Sequence, residues 1–377
     1  MATVVAPSPA TAEALRKSTN APATAPARLE SLDVFRGLTM LLLISHGFGI
    51  YEGLKDTPSL GWFRYQFEHV QWVGCTLWDL IQPAFTFIVG VAMALSLDRR
   101  LKQGDTRASL AKHVVARAVI LVVLSNVLSN WNGRGAPLKF QLINVLCQIA
   151  LSYVVCFAIW NLRFPLQVAC AVGMMVLHHA LFYLFPGPAG PFDPTGNIGA
   201  VLDQALLGYK YSGNYTTLNF MGNAITVLFG VWTGMLLLQP KSHRERLTIL
   251  GSCAAAAFVL GLALAPVIPM VKRLWLGSFT FFSTGWVLLG LMACYWIVEM
   301  KGWKRWAFPA VVIGTNCIFI YSFSQVLRGW FANGIAQFTR NFSFMGPYGA
   351  IPHNLVVLAG MFGLCYWLYK RKIFFRI

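Results

Sequence analysis

The chain has 377 residues, of which 57% are hydrophobic and 11% charged, with a mean hydropathy of +0.60. This balance excludes a soluble domain of ordinary composition and leaves a polytopic membrane protein. The net charge of +17 reads as membrane topology rather than a nucleic-acid footprint, because the cations gather in alternate connections.

Residues 1–27 are rich in Ala, Pro, Ser and Thr and lack the apolar core of a cleavable signal, so they read as a disordered cytoplasmic tail. Residues 28–377 read as one all-α membrane domain, a helix bundle of about ten spans. Ten apolar runs near spanning length are expected to be helices: Val34 to Ile50, Leu77 to Leu97, Val114 to Leu128, Leu142 to Trp160, Leu166 to Phe185, Phe220 to Leu238, Leu247 to Val267, Phe279 to Val298, Ala307 to Leu327 and Leu355 to Tyr369. Gly47 and Gly49 in the first run and Gly314 in the ninth are positions where a helix can be interrupted.

With both termini in the cytoplasm, most of the 30 Lys and Arg residues fall on the inner side, which fixes the expected orientation. Three long connections then share the outer side: Tyr51 to Thr76, Pro186 to Asn219, and Arg328 to Asn354. Long connections anchored on a rigid scaffold commonly carry binding function, so a substrate arriving from outside is expected. Seven of the eight cysteines fall inside apolar runs and none forms a Cys-x-x-Cys pair, which supports neither a disulfide framework nor zinc. His178 and His179, with or without His46, lack the spacing of a metal site.

The densest chemistry lies between His69 and Gly90. His69 stands just outside an apolar run that itself carries Asp79, and ionisable groups at the lip of a membrane segment are functional candidates by default. An imidazole near neutrality suits proton transfer from an amine, or covalent capture of an acyl group. Asp79 can orient the imidazole as a third group does in catalytic triads. It can equally cap the helix or pair with a basic residue.

Five motifs in order resemble the heparan-alpha-glucosaminide N-acetyltransferase family, the lysosomal transmembrane acetyltransferase and its bacterial relatives. They are Arg28-Leu-Glu-Ser-Leu-Asp-Val-Phe-Arg-Gly37; His69-x-x-Trp72-x-Gly74-x-Thr76-x-x-Asp79-Leu80 continuing into Pro83-x-Phe85-x-Phe87-Ile88-x-Gly90; Val145-Leu146-x-x-Ile149-x-Leu151-x-Tyr153; Lys272-x-Leu274-Trp275-x-x-Ser278; and Gly314-x-Asn316-x-x-x-Ile320-Tyr321. The chain departs from the family at Ser45-His46-Gly47, where an Asn is usual. It departs again at Cys147-Gln148, where Gln-Arg is usual, and around Asn219 to Gly222, where a Pro-Glu-Gly segment is missing.

The resemblance implies a membrane acetyltransferase that uses acetyl-CoA as donor and an amino sugar or glycan as acceptor. Its catalytic histidine matches His69, with Asp79 beside it and Asn316 as a donor to the developing oxyanion. Trp72, Lys272 and Trp275 are the expected acceptor-binding residues. For the donor's phosphates the expected set is Arg36, Arg99, Arg100, Lys102 and Arg117, near the inner ends of the first three helices. Asn126, Asn144 and Gln148 form a further polar set within helices. No large domain precedes Arg28, which points to the bacterial relatives and hence to a bacterial inner membrane. The resemblance also suggests a homodimer. Two other readings fit the same scaffold: O-acylation of an envelope polysaccharide, and transport of a small molecule without chemistry.

Overall fold

A computed structural model describes residues 29–131, 138–208 and 215–375; the expected tail, 1–27, lies outside the described residues. The described chain is helical throughout, with one isolated antiparallel bridge between Gly187 and Gly190. Its helices are α1 (Glu30–Ile44), α2 (Ile81–Lys102), α3 (Arg107–Asn130), α4 (Val145–Ile159), α5 (Phe164–Leu184), α6 (Ile198–Leu207), α7 (Phe220–Leu238), α8 (His243–Leu264), α9 (Gly277–Tyr295), α10 (Phe308–Thr315), α11 (Cys317–Val326), α12 (Arg328–Thr339) and α13 (Ala350–Lys370).

Seven helices are long and apolar enough to cross a bilayer unaided, and two bent pairs raise that number to nine. The chain is therefore a multi-pass integral-membrane protein. The first expected run is bent by 47° at Ser45, and the ninth by 68° at Asn316. The expected segment Leu142 to Trp160 is helical only over Val145–Ile159, about 22 Å at 1.5 Å per residue against a hydrocarbon core of about 30 Å. Its first residues are extended because Asn126 and Asn130 of α3 hold the returning strand. Asn126 Nδ2 donates to Gln141 O and its Oδ1 accepts from Gln141 N, while Asn130 makes the same pair of bonds with Lys139.

Without water to drive association, membrane helices pack where small residues let backbones approach. α2 and α7 meet this way: a Cβ at Gly90 would lie 2.0 Å from Val227 O, and one at Gly230 would lie 2.1 Å from Phe87 O. α4 joins α7 through a polar seam. Gln148, Ser152 and Cys156, each four residues apart, donate to Thr216 O, Phe220 O and Ala224 O. α1, α2 and α9 share an apolar core around Val34, Phe87, Val91, Leu288 and Leu291. The opposite character appears on α3, where Val115, Val119, Val123 and Val127 repeat every fourth residue and are exposed, a face suited to lipid.

One end of the bundle collects the long connections. Gly74 N donates to Met270 O, Trp72 Nε1 donates to Phe192 O, and Tyr183 donates to Val267 O. The segments around 70, 190 and 270 are thus tied into one layer over the helix ends. The chain begins and ends at the opposite end, where Glu30 meets Lys304 at 2.9 Å.

Candidate active site

The site is built from a capped helix start and two loop residues. Thr76 and Asp79 have the three-residue spacing of a helix N-terminal cap ahead of an apolar run. Asp79 sits in the turn Trp78–Leu80 that leads into α2, and its Oδ2 accepts from Thr76 N at 3.2 Å and Val70 N at 3.3 Å. Thr76 Oγ1 lies 2.6 Å from Glu68 O and 3.0 Å from Asp79 Oδ2, so its single proton serves one of them at a time. These bonds draw the His69 loop down onto the helix start and leave Oδ1 facing the imidazole.

His69 Nδ1 lies 2.7 Å from Asp79 Oδ1. Lys272 Nζ lies 3.2 Å from the same oxygen and 3.3 Å from His69 Nδ1. Both nitrogens compete for a carboxylate that is 1% exposed, whereas the His69 side chain is 50% exposed. A carboxylate accepts only, so Nδ1 carries a proton and the lysine ammonium is left to donate to Oδ1. In the neutral imidazole, Nε2 then holds a free lone pair on the exposed side. Asp79 and Lys272 cancel each other's charge, which makes the pair tolerable at this depth.

Lys272 comes from the turn Lys272–Leu274, between α8 and α9. Its successor Trp275 has a left-handed φ of 52° and is fully buried, with Nε1 donating to Thr226 Oγ1 at 3.1 Å. The expected acceptor-binding residues therefore divide. Trp72 is partly exposed and pinned to Phe192; Lys272 is engaged with Asp79; and Trp275 forms the packed floor, out of reach of any solute. Nearby Cys75 is no competing nucleophile, because burial, with the charge of Asp79, pushes its thiol up to about 12.

Asn316 is not at this site. It occupies the break between α10 and α11, where Nδ2 donates to Ile373 O and Oδ1 accepts from Phe375 N. Its amide fastens the returning carboxyl-terminal segment to the broken helix, at the end of the bundle away from His69. The expected phosphate-binding set is likewise dispersed. Arg36 donates to Asp33 and Gly314 O, Arg100 to Asp105, and Lys102 to Asp98, while Arg117 lies over the Tyr153 ring. Arg99 is exposed. Among the described residues no two of these five cations share a hydrogen-bond partner. Of the other polar set, Asn126 and Asn144 hold the segment before α4, and Gln148 joins α4 to α7. His179 uses both ring nitrogens structurally, on Met175 O and Gly277 N.

Comparison with known proteins agrees with this arrangement. Residues 28–193 match the family model for heparan-alpha-glucosaminide N-acetyltransferase, catalytic, a span that includes His69, Trp72 and Asp79. The heparan-alpha-glucosaminide N-acetyltransferases of Homo sapiens and Mus musculus are 27% and 26% identical to the chain over 93% of its length. The chain spans 60% of the length of these curated relatives. The order of the shared motifs and these matches together place the chain in the heparan-alpha-glucosaminide N-acetyltransferase family.

Proposed function

We propose that the protein transfers an acetyl group from acetyl-CoA to the amine of an amino sugar or glycan, with His69 as general base. The observation that carries this reading is the short His69–Asp79 contact, 2.7 Å, which sets the imidazole with Nε2 unprotonated at an accessible position. Nε2 takes the proton of the acceptor amine as its nitrogen attacks the thioester carbonyl. The C–N bond forms, the C–S bond breaks, and the imidazolium returns its proton to the departing thiolate. Asp79 holds the ring and stabilises the transient positive charge.

In this reading both termini face the cytoplasm of a bacterial inner membrane, and the His69 end faces outward. The donor approaches from the basic inner side, with Arg36, Arg99, Arg100, Lys102 and Arg117 as its nearest cations, and the acceptor approaches from the outside past Trp72. The family relationship supports the acyl-transfer chemistry; the unequal distribution of basic residues supports the direction.

The test uses the full chain in lipid nanodiscs with radiolabelled acetyl-CoA and glucosamine. Acceptor-dependent release of thiol with formation of an amide product is expected. His69→Ala lowers the rate by about 10²–10⁴-fold, the usual worth of a general base. Substrate flux without thiol release would instead support a transporter, and an ester product would support O-acylation. The same lone pair would serve a covalent acetyl-imidazole route, so label retained on the protein without acceptor separates the two.

A further inference from the structure

A second group of polar side chains lies at the His69 end, on elements that the chemistry above does not use. Four consecutive residues, His46, Gly47, Phe48 and Gly49, have φ values of 47°, 64°, 55° and 71°. A left-handed turn of this length is rare for L-residues, and two of the four carry side chains. Such strain persists where the surroundings hold it in place, and it concentrates at ligand-binding positions. Here Asn354 of α13 holds it: its Nδ2 donates to Ala350 O, and both groups lie within 3 Å of where a Cβ on Gly49 would stand.

The same Asn354 presents Oδ1 to Arg328 Nη2 at 2.7 Å. Arg328 is only partly exposed and within electrostatic range of His46, and its Nε is buried with no hydrogen-bond partner. Among the described residues no carboxylate pairs with it. Arg64, another arginine of this end, lies on the Tyr51 ring with Nε on Tyr51 O. A partly desolvated guanidinium with no acid, at the lip of a membrane bundle, is costly unless an anion completes it. The turn lies beside the catalytic loop, because a Cβ on Gly47 would lie 3.2 Å from Phe67 Cβ, two residues before His69.

We propose that Arg328, Asn354 and His46 form an oxyanion subsite beside His69. Resting on the transferase reading above, its ligand is the carboxylate or sulfate of an acidic unit next to the acceptor amine. The guanidinium supplies a planar fork of donors for two oxygens, Asn354 sets its plane, and His46 offers a further ring nitrogen. The inference makes the enzyme selective for acidic amino-sugar chains over free amino sugar.

The experiment compares glucosamine with a uronic acid–glucosamine disaccharide as acceptors for the full chain in phosphatidylcholine nanodiscs. The native protein is expected to favour the disaccharide by about tenfold or more in kcat/KM, as a charged hydrogen-bond pair allows. In Arg328→Gln that preference collapses, and in Arg328→Lys, which keeps charge but loses the fork, it is intermediate. Equal preference in the native protein and Arg328→Gln overturns the subsite. An Arg328→Gln effect seen only in phosphatidylglycerol nanodiscs assigns the anion to a lipid phosphate and overturns the glycan assignment. If the native protein acetylates neither acceptor, the transferase reading fails separately. Inorganic sulfate then decides the subsite by thermal unfolding: stabilisation of the native protein but not of Arg328→Gln supports it, and equal stabilisation overturns it.

Discussion

Lys272 places its ammonium 3.2 Å from Asp79 Oδ1, across 193 residues of sequence, and both side chains are almost fully buried. The contact joins the loop before α9 to the start of α2 and neutralises a carboxylate that would otherwise have only an imidazole beside it. Lys272→Met should therefore destabilise the fold by about 3–5 kcal/mol, the usual cost of removing one partner of a buried ion pair. Thermal unfolding in detergent reads this directly. A change below about 1 kcal/mol, as for an exposed pair, would contradict it.

Asp79→Asn keeps the shape of the site but reverses its logic. An amide can donate to Nδ1, which moves the imidazole proton to Nε2 and removes the lone pair the acceptor needs. Transfer should fall by about 10²–10⁴-fold while the protein remains folded. Single-turnover rates with saturating glucosamine, beside a thermal unfolding curve, check both halves of this expectation.

Gly90→Val should separate α2 from α7, since even a Cβ at this position would lie 2.0 Å from Val227 O. Backbone atoms cannot step aside as a side-chain tip can. A loss of about 1–3 kcal/mol or more is expected from overpacking, with activity falling in parallel because Asp79 sits at the start of the same helix. Gly173, on α5, has open space around its missing Cβ. Gly173→Ala provides the matched control, and its unfolding temperature should not fall.

The connection around Asp193 should be sensitive to acid. Its carboxylate accepts from Thr195 Oγ1, Ala189 N and Thr195 N, and these donors, the Thr195 hydroxyl foremost, hold its pKa at about 2 against an ordinary 3.8. A depressed carboxylate contributes stability that is fully present above its unfolded value and is lost as pH falls through its folded one. Amide hydrogen exchange in residues 187–197 should thus stay slow, after correction for intrinsic rates, down to about pH 4 and accelerate towards pH 2. Asp193→Asn should flatten that profile.

Much of this architecture was legible in the apolar runs, all ten of which contain helix. The Thr76-x-x-Asp79 spacing likewise announced a helix start at the right place. Ion pairs that occupy two of the expected phosphate-binding cations were also readable, because Arg36 follows Asp33 by three residues and Lys102 follows Asp98 by four. Their helical spacing brings opposite charges together before any ligand arrives. The site's third member was not legible as such. Lys272 reaches Asp79 only because the connections stack into one layer, a tertiary relationship that no local period encodes. Asn316 misled for a similar reason. A polar residue at a helix break suits a binding site, yet its partners are the backbone of the chain's own last turn, and only the return of α13 reveals them.

The most direct test of the central claim is chemical rescue. His69 is half exposed, so removing its ring leaves space that a small base from solution can reach. Acetylation of glucosamine by His69→Ala in nanodiscs, measured with and without added imidazole, is predicted to fall by at least about 100-fold and to recover saturably with imidazole. A folded His69→Ala protein that transfers acetyl groups at the native rate would contradict the account.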